Sequence, residues 1–251
     1  MVEGNPVVRH GPGGSPHDAQ SPVSGYRSSG GLSGGRASTI VEAVTRVVDR
    51  PSKLHAPLIG DPEARAVKQA INCGAVTHGI HVERFENAVA ATANANHGVA
   101  VSSGTAALHL ALLSANVEPG DYVVVPGFTF VAVANAVMYC GAIPNFIDCD
   151  KVGGISPSRL NDWLSNHDVK AVIAVHNFGH LSDIDYIKKI CDRHGVTLIE
   201  DAAQALGPLK KITGHAAIVS FNGNKVITTG GGGAVIGDEK ELELGIRAMA
   251  N

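Results

Sequence analysis

The sequence predicts an α/β fold in three layers, with a mainly parallel sheet covered by helices on both faces. From residue 98 onward, short apolar runs alternate with segments of helical periodicity. The runs are GVAV, DYVVV, AIPNFI, KAVIAV and VTLIE, and the helical segments cover about 104–117, 130–140, 157–166 and 183–194. Two further strands are expected at 216–221 and 233–236, with a last helix from about Asp238. Continuous apolar strands separated by helices of this length are typical of parallel sheets with right-handed crossovers.

Composition places the chain among ordinary globular proteins. Of its 251 residues, 44% are hydrophobic and 17% charged, and the net charge is −3 without any Lys/Arg run. No apolar stretch approaches the roughly 20 residues of a membrane helix, and the N-terminal MVEGNPVVRHGPGG lacks the apolar core of a signal peptide. The four cysteines are scattered without a C-x-x-C pair, which favours reduced thiols over disulfides or a zinc site. We expect a soluble cytoplasmic protein without nucleic-acid or membrane partners.

Three regions are expected along the chain. Residues 1–37 are rich in Gly, Ser, Pro and His, a composition that predicts a disordered extension. Residues 38–60 contain a short helical pattern from Ile40 to Val48 and a lead-in to residues 61–251, the main domain. That domain should open with a helix capped by Asp61, with Pro62 at its first position, ending at about Cys73 and Gly74. A second helix over about 82–94 should place Phe85, Val89 and Ala93 on one side.

Small residues follow the first strand, in the segment Ser102-Ser103-Gly104-Thr105-Ala106-Ala107. Small side chains let a ligand approach the backbone, and a helix N-terminus offers free N–H groups to a phosphate. A plain Ser/Thr helix cap explains the segment equally well. An aromatic pair comes after the next strand, in Pro126-Gly127-Phe128-Thr129-Phe130, where a ring would either stack on a planar cofactor or pack in the core.

Two further segments carry groups of chemical interest. Asp201 follows the strand VTLIE, where its carboxylate would either keep a pyridine nitrogen protonated or cap a helix. Lys225 lies in SFNGNK just before Gly230–Gly233. A lysine becomes a nucleophile toward aldehydes when its surroundings lower its pKa, and glycines permit close approach to a ligand. The alternative is an exposed lysine before a flexible hairpin.

The segment HNFGH suggests a metal site because His176 and His180 have the spacing of a helical pair. The intervening Asn-Phe-Gly is typical of a loop, and no carboxylate stands suitably beside the two histidines. Pocket lining or ordinary surface placement is therefore favoured over a metal site.

The order of these parts along the chain resembles the DegT/StrS family of pyridoxal-phosphate-dependent nucleotide-sugar aminotransferases. The similarity extends from about Leu54 to Asn251 and is carried by SSGTAALHLAL, PGFTFVAVANAV, EDAAQALG and SFNGNKVITTGGGG. HNFGH, FIDCD followed by GISPSRL, and the short helix before LHAPLIG make the LegC-like branch the most similar one. The resemblance implies the large domain of the aspartate-aminotransferase (fold-type I) architecture.

The resemblance also implies a pyridoxal 5′-phosphate cofactor and roles for seven residues. Lys225 matches the lysine that binds the cofactor covalently and later moves the reacting proton. Asp201 matches the partner of the pyridine nitrogen, and Gln204 the residue near the 3-hydroxyl side of the ring. Phe130 matches the aromatic stacked on that ring. The phosphate-holding positions are Gly104, Thr105 and Ser220.

The implied reaction is transamination of a nucleotide-linked 4-keto-6-deoxy sugar to its 4-amino sugar, within polysaccharide biosynthesis. The amino donor would be an amino acid such as glutamate, and the active sites of the family lie at a homodimer interface. Lys225 favours transamination because relatives that act as sugar dehydratases have histidine there.

Family members continue beyond the point that matches Asn251, into a small C-terminal domain. We therefore expect an incomplete large domain with the small domain missing. A non-catalytic remnant that keeps only the fold or cofactor binding is the alternative function. A generic nucleotide-binding domain is disfavoured because no G-x-G-x-x-G follows a strand.

Overall fold

The computed structural model describes residues 57–250. The extension predicted at residues 1–37 and the short helix predicted near residues 40–48 lie outside these described residues. Within the described part, every helix and strand predicted from residue 61 onward is present, with small shifts at the ends. The helices are α1 (Asp61–Asn72), α2 (Ile80–Thr92), α3 (Gly104–Ser114), α4 (Val131–Tyr139), α5 (Pro157–Leu164), α6 (Ile184–His194) and α7 (Lys240–Ala250). The strands are β1 (His97–Val101), β2 (Tyr122–Pro126), β3 (Ile143–Ile147), β4 (Ala171–Val175), β5 (Thr197–Asp201), β6 (Ala216–Ser220) and β7 (Gly233–Gly237).

The seven strands form one sheet in the order β1-β7-β6-β5-β4-β2-β3. Strand β7 is antiparallel to both β1 and β6, whereas the other neighbouring strands are parallel. The predicted mainly parallel sheet is therefore confirmed. Gly233, at the start of β7, pairs with Val101 on one side and Ser220 on the other. The carboxyl ends of six strands consequently meet the amino end of β7 at one edge, where ligands of α/β sheets bind.

Helices cover both faces of the sheet, which gives the three layers. Helices α3, α4 and α7 pack on one face through an apolar cluster that includes Leu108, Val133 and Ile246. Helices α5 and α6 pack on the other face through a second cluster, and α2 packs there against β6 and β7 through a third. Strands β4, β6 and β7 are buried on both faces, since successive side chains point to opposite sides of the sheet and both sides are covered. The edge strand β3 instead exposes Ile143 and Phe146.

The start of α1 differs by one residue from the prediction. Gly60 is the N-cap, Asp61 is the first helical residue, and Pro62 is the second. The Glu63 carboxylate accepts a hydrogen bond of 2.8 Å from the Gly60 N–H, so a side chain inside the helix, and not Asp61, caps this end. The predicted end is confirmed, because Cys73 is the C-cap.

The second helix buries the predicted side. Val89 and Ala93 are 5% and 0% exposed, and the Phe85 ring contacts Phe221 edge-on with the centroids 4.9 Å apart. The helix begins at Ile80, two residues before the predicted start. No helix among residues 57–250 is both long and apolar enough to cross a bilayer.

Candidate active site

A cavity of about 160 Å³ lies at the edge of the sheet where the parallel strands end. All seven residues that the sequence singled out line this cavity: Gly104, Thr105, Phe130, Asp201, Gln204, Ser220 and Lys225. They come from four separate segments of the chain, and the strand ends bring them together. The structure thus assembles the predicted set in one place.

The N-terminus of α3 forms one wall, pressed against the ends of β6 and β7. The Ser103 hydroxyl caps the helix by accepting a hydrogen bond of 3.1 Å from the Ala106 N–H. A Cβ atom on Gly104 would lie 2.8 Å from the Ser220 Cβ, and one on Gly233 would lie 2.5 Å from the Ser103 carbonyl. Only glycine permits these approaches. The first turn of a helix has N–H groups without intrahelical partners, so this wall suits an anion.

Asp201 forms the floor at the end of β5. It is 5% exposed, and its Oδ1 accepts a hydrogen bond of 2.9 Å from the Ala203 N–H. Burial raises the pKa of this carboxyl group, whereas the Ala203 N–H and the Lys225 ammonium oppose the rise. A cationic partner, such as a protonated ring nitrogen, would favour the ionised form of Asp201.

Lys225 and Phe130 lie across the cavity mouth from each other. The Lys225 Nζ is 5.9 Å from the centroid of the Phe130 ring, which is 63% exposed. Lys225 belongs to the loop between β6 and β7, which is closed by a hydrogen bond of 2.9 Å from the Phe221 N–H to the Gly232 carbonyl. The amine therefore stands above an exposed aromatic face.

Gln204 supports the turn that follows β4. Its side-chain Oε1 accepts a hydrogen bond of 2.8 Å from the Phe178 N–H, and Phe178 has a φ of 52°. Because the donor is an N–H group, the amide oxygen must face it. The NH₂ group of Gln204 then remains available to donate a hydrogen bond to a ligand.

His176 is neither a surface residue nor a pocket residue, which corrects the two placements favoured from sequence. Its Nδ1 accepts a hydrogen bond of 3.1 Å from the Ser182 N–H, so the proton is on Nε2 and is donated to Glu200 over 3.0 Å. His176 and Glu200 are both fully buried. His180 is exposed. The described residues contain no group of three or more His, Cys, Asp or Glu side chains arranged to hold a metal.

Among the other residues that line the cavity, Asn177 and Thr129 received no role from sequence reasoning. The Asn177 amide donates hydrogen bonds of 3.1 Å to the Phe128 carbonyl and 2.9 Å to the Gly153 carbonyl, and so fixes the loop that carries Phe130. The Thr129 hydroxyl is buried and has no hydrogen-bond partner among the described residues. The only features of the sequence that pointed to them were the positions of Asn177 in HNFGH and of Thr129 in PGFTF.

The cavity fits pyridoxal phosphate. It combines an anion-binding helix end, a buried carboxylate for a ring nitrogen, an aromatic face and a primary amine.

A second, wider cavity of about 650 Å³ adjoins the first and shares Gln204, Asn224 and Lys225 with it. Its other walls include Phe178 and Leu206. A substrate in the second cavity would reach the amine of Lys225.

Comparison with protein families gives a match to the DegT/DnrJ/EryC1/StrS aminotransferase family over residues 57–251. The chain is 37% identical to a GDP-perosamine synthase of Caulobacter vibrioides over 177 residues, which are 68% of this chain and 47% of the relative. It is 42% identical to the putative pyridoxal phosphate-dependent aminotransferase EpsN of Bacillus subtilis over 174 residues, which are 64% of this chain and 45% of EpsN. The chain therefore spans about half the length of these curated relatives.

Solved structures agree on the fold. DesI, crystallised in the presence of its TDP-sugar product, superposes with a TM-score of 0.73 and 31% identity. The superposition covers 80% of this chain and 53% of DesI. The fold expected from the sequence resemblance is confirmed for the part of the architecture that this chain contains.

Proposed function

The chain belongs to the DegT/DnrJ/EryC1/StrS aminotransferase family, whose cofactor is pyridoxal phosphate, and we propose that it aminates a nucleotide-linked keto sugar through a cofactor held on Lys225. The substrate that we assign is a 4-keto-6-deoxy sugar, converted to its 4-amino sugar with glutamate as donor. The observation that carries the proposal is the convergence of all seven predicted residues on one cavity.

The chain supplies the groups that hold the cofactor. Pyridoxal phosphate, when bound, supplies an electron sink for breaking bonds at the carbon that bears the nitrogen. The anion-binding wall formed by Gly104, Thr105 and Ser220 would hold its phosphate, and the Phe130 ring would offer an aromatic face to the pyridine. Asp201, in its ionised form, would keep the ring nitrogen protonated.

Lys225 has two tasks. Its amine would hold the cofactor covalently, and as a base it would move a proton at the reacting carbon of the substrate. The loop from Phe221 to Gly232 keeps the amine at the junction of the two cavities, where substrate and cofactor both reach it. Histidine in this place would not form the covalent link, so lysine favours amino transfer.

A nucleotide-linked sugar is supported by the relatives, which include GDP-perosamine synthases and DesI with its TDP-sugar product. The wider cavity beside Lys225 gives such a substrate a place. The LegC-like branch stays a prediction, as does a homodimer whose second subunit completes the site.

The proposal is tested by fixing the cofactor with borohydride. The full chain is incubated with pyridoxal phosphate, its visible absorbance band is recorded, and the reduced protein is mapped by mass spectrometry. We expect the adduct on Lys225, its loss in Lys225→Ala, and its retention in the control Lys189→Ala, which removes an exposed lysine of α6.

Amino transfer is then measured with glutamate and other amino acids against dTDP- and GDP-linked 4-keto-6-deoxy sugars. Formation of the 4-amino sugar supports the whole proposal. An adduct without transfer would leave cofactor binding as the function of this chain, and an adduct spread equally over many lysines would contradict the proposal.

A further inference from the structure

The position of the Lys225 amine depends on the loop that carries it, residues 222–231, which we call the lysine loop. Within residues 57–250 the Lys225 Nζ makes no hydrogen bond, and it lies 5.9 Å from the centroid of the Phe130 ring. Val226 and Ile227, which follow Lys225, are 82% and 55% exposed. Packing therefore holds this part of the loop only weakly, and the base of the loop has the larger part in placing the amine.

Phe221 connects that base to the core. Phe221 is 1% exposed, and its ring contacts Phe85 of α2 edge-on with the centroids 4.9 Å apart. Its N–H donates to the Gly232 carbonyl over 2.9 Å, and its carbonyl accepts from the Thr229 N–H over 3.0 Å. These two backbone hydrogen bonds join the end of the lysine loop to a buried residue.

Thr228 adds a side-chain link between the loop and the same residue. Its hydroxyl donates to the Phe221 carbonyl over 3.0 Å and accepts a hydrogen bond of 2.9 Å from the Gly230 N–H. A hydroxyl can donate and accept at once, so one oxygen atom ties both the base and the returning part of the loop. Thr228 lines neither of the two cavities, and any effect on a ligand must therefore pass through the loop.

We infer that Thr228 is a positioning residue for the covalent link between Lys225 and the cofactor, because its hydroxyl ties the lysine loop to Phe221. In that link the Lys225 nitrogen bonds to the aldehyde carbon of pyridoxal phosphate, and the aldehyde oxygen leaves as water with the two protons of the amine. The extent of such a step follows the fraction of time that the amine spends close to the carbon. Without the hydroxyl the loop has more freedom, so that fraction falls. The inference rests on the proposed function and deepens it.

The experiment uses two ligands that differ in the group that meets Lys225. Pyridoxal phosphate has an aldehyde that can be linked to the amine, whereas pyridoxamine phosphate has an amino group there and cannot be linked. Their dissociation constants are measured by titration for the full chain and for its variants Thr228→Val and Thr228→Ser. Valine keeps the shape of threonine without the hydroxyl, and serine keeps the hydroxyl.

Thr92→Val is the matched control. Thr92 lies on α2, lines neither cavity, and donates to the Val89 carbonyl over 2.7 Å. This variant therefore loses a hydroxyl-to-carbonyl hydrogen bond of the same kind, away from the lysine loop. Melting temperatures without ligand are recorded for all proteins.

We expect Thr228→Val to bind pyridoxal phosphate about tenfold more weakly, which is the effect of one net hydrogen bond. The same variant should bind pyridoxamine phosphate within about twofold of the parent, because that ligand makes no link to Lys225. Thr228→Ser should restore the affinity for pyridoxal phosphate, and Thr92→Val should leave both constants unchanged. Borohydride reduction after a short incubation should give less Lys225 adduct in Thr228→Val than in the parent.

Three outcomes would overturn the inference. The first is unchanged affinity of Thr228→Val for pyridoxal phosphate, and the second is equal weakening of both ligands, which would indicate a purely structural role. The third is failure of Thr228→Ser to restore binding, which would assign the effect to the methyl group. If Thr228→Val does not fold, Thr228→Ala takes its place in the same comparison.

These outcomes are distinct from a failure of the proposed function. In each of the three cases the parent chain still carries cofactor on Lys225, so the proposed function stands. A parent chain that forms no Lys225 adduct would instead refute the proposed function together with this inference.

Discussion

Replacing Gly104 by alanine should destabilise the chain and weaken the cofactor site together. The added Cβ would lie 2.8 Å from the Ser220 Cβ and 3.0 Å from the Ser220 Oγ, whereas carbon atoms in contact are normally about 3.5–4.0 Å apart. Overpacking of this kind costs about 1–3 kcal/mol. The higher helix propensity of alanine recovers at most about 1 kcal/mol, so we expect a net loss of about 1–2 kcal/mol.

Gly245 in α7 offers a matched control with the opposite expected sign. A Cβ atom there meets nothing within 4 Å, so Gly245→Ala should keep the full propensity gain of about 0.5–1 kcal/mol. The same chemical change is therefore expected to destabilise at one helical position and to stabilise at another.

The assay is urea denaturation of the three proteins without ligand, followed by titration with pyridoxal phosphate. Gly104→Ala should bind the cofactor more weakly because α3 must move away from Ser220, whereas Gly245→Ala should bind it normally. The double variant Gly104→Ala/Ser220→Gly should be more stable than the sum of its single effects, since the clashing atoms are gone. A Gly104→Ala protein with the stability and affinity of the parent would refute the close-approach argument.

Three further predictions concern burial. Asp201→Asn should stabilise the ligand-free chain more at pH 7 than at pH 4, measured as the difference in urea midpoint between variant and parent. Burial raises the pKa of Asp201 in the folded state. Its ionised carboxylate therefore opposes folding increasingly as pH rises above the unfolded pKa of about 3.9. Equal gains at both pH values would contradict this. Arg247→Met removes the cation that binds the buried Glu86 carboxylate of α2 over 2.8 Å. It should lower the free energy of unfolding by about 1–3 kcal/mol, and titration should show an unchanged cofactor affinity. Thiol labelling should modify the exposed Cys73 first. Cys140 and Cys191 should react only after unfolding, because burial raises their pKa values to about 11 and about 12. Early labelling of Cys191 would argue against the packing of α6.

Much of the architecture was predictable because the order of helices and strands follows from local sequence patterns. Apolar runs of four to six residues predict the strands, and helical periodicity predicts the segments between them. The seven residues of the site were assigned by the family resemblance, because each local motif alone had an ordinary structural explanation; they lie at or just after strand ends, which converge at one edge of the sheet. Their gathering in one cavity follows from the strand order, which only the structure supplies.

Tertiary structure alone decided features that depend on partners distant in sequence. The reversal of β7 between β1 and β6 is one of them, because a buried apolar run looks the same in either direction. The pairing of His176 with Glu200 is another, since the histidine spacing suggested a metal and only the fold shows that both ring nitrogens are already bonded. The unpaired hydroxyl of Thr129 is the clearest case. Sequence shows that a threonine is present, but whether its oxygen has a partner depends on groups brought from β3 and from the turn after β4.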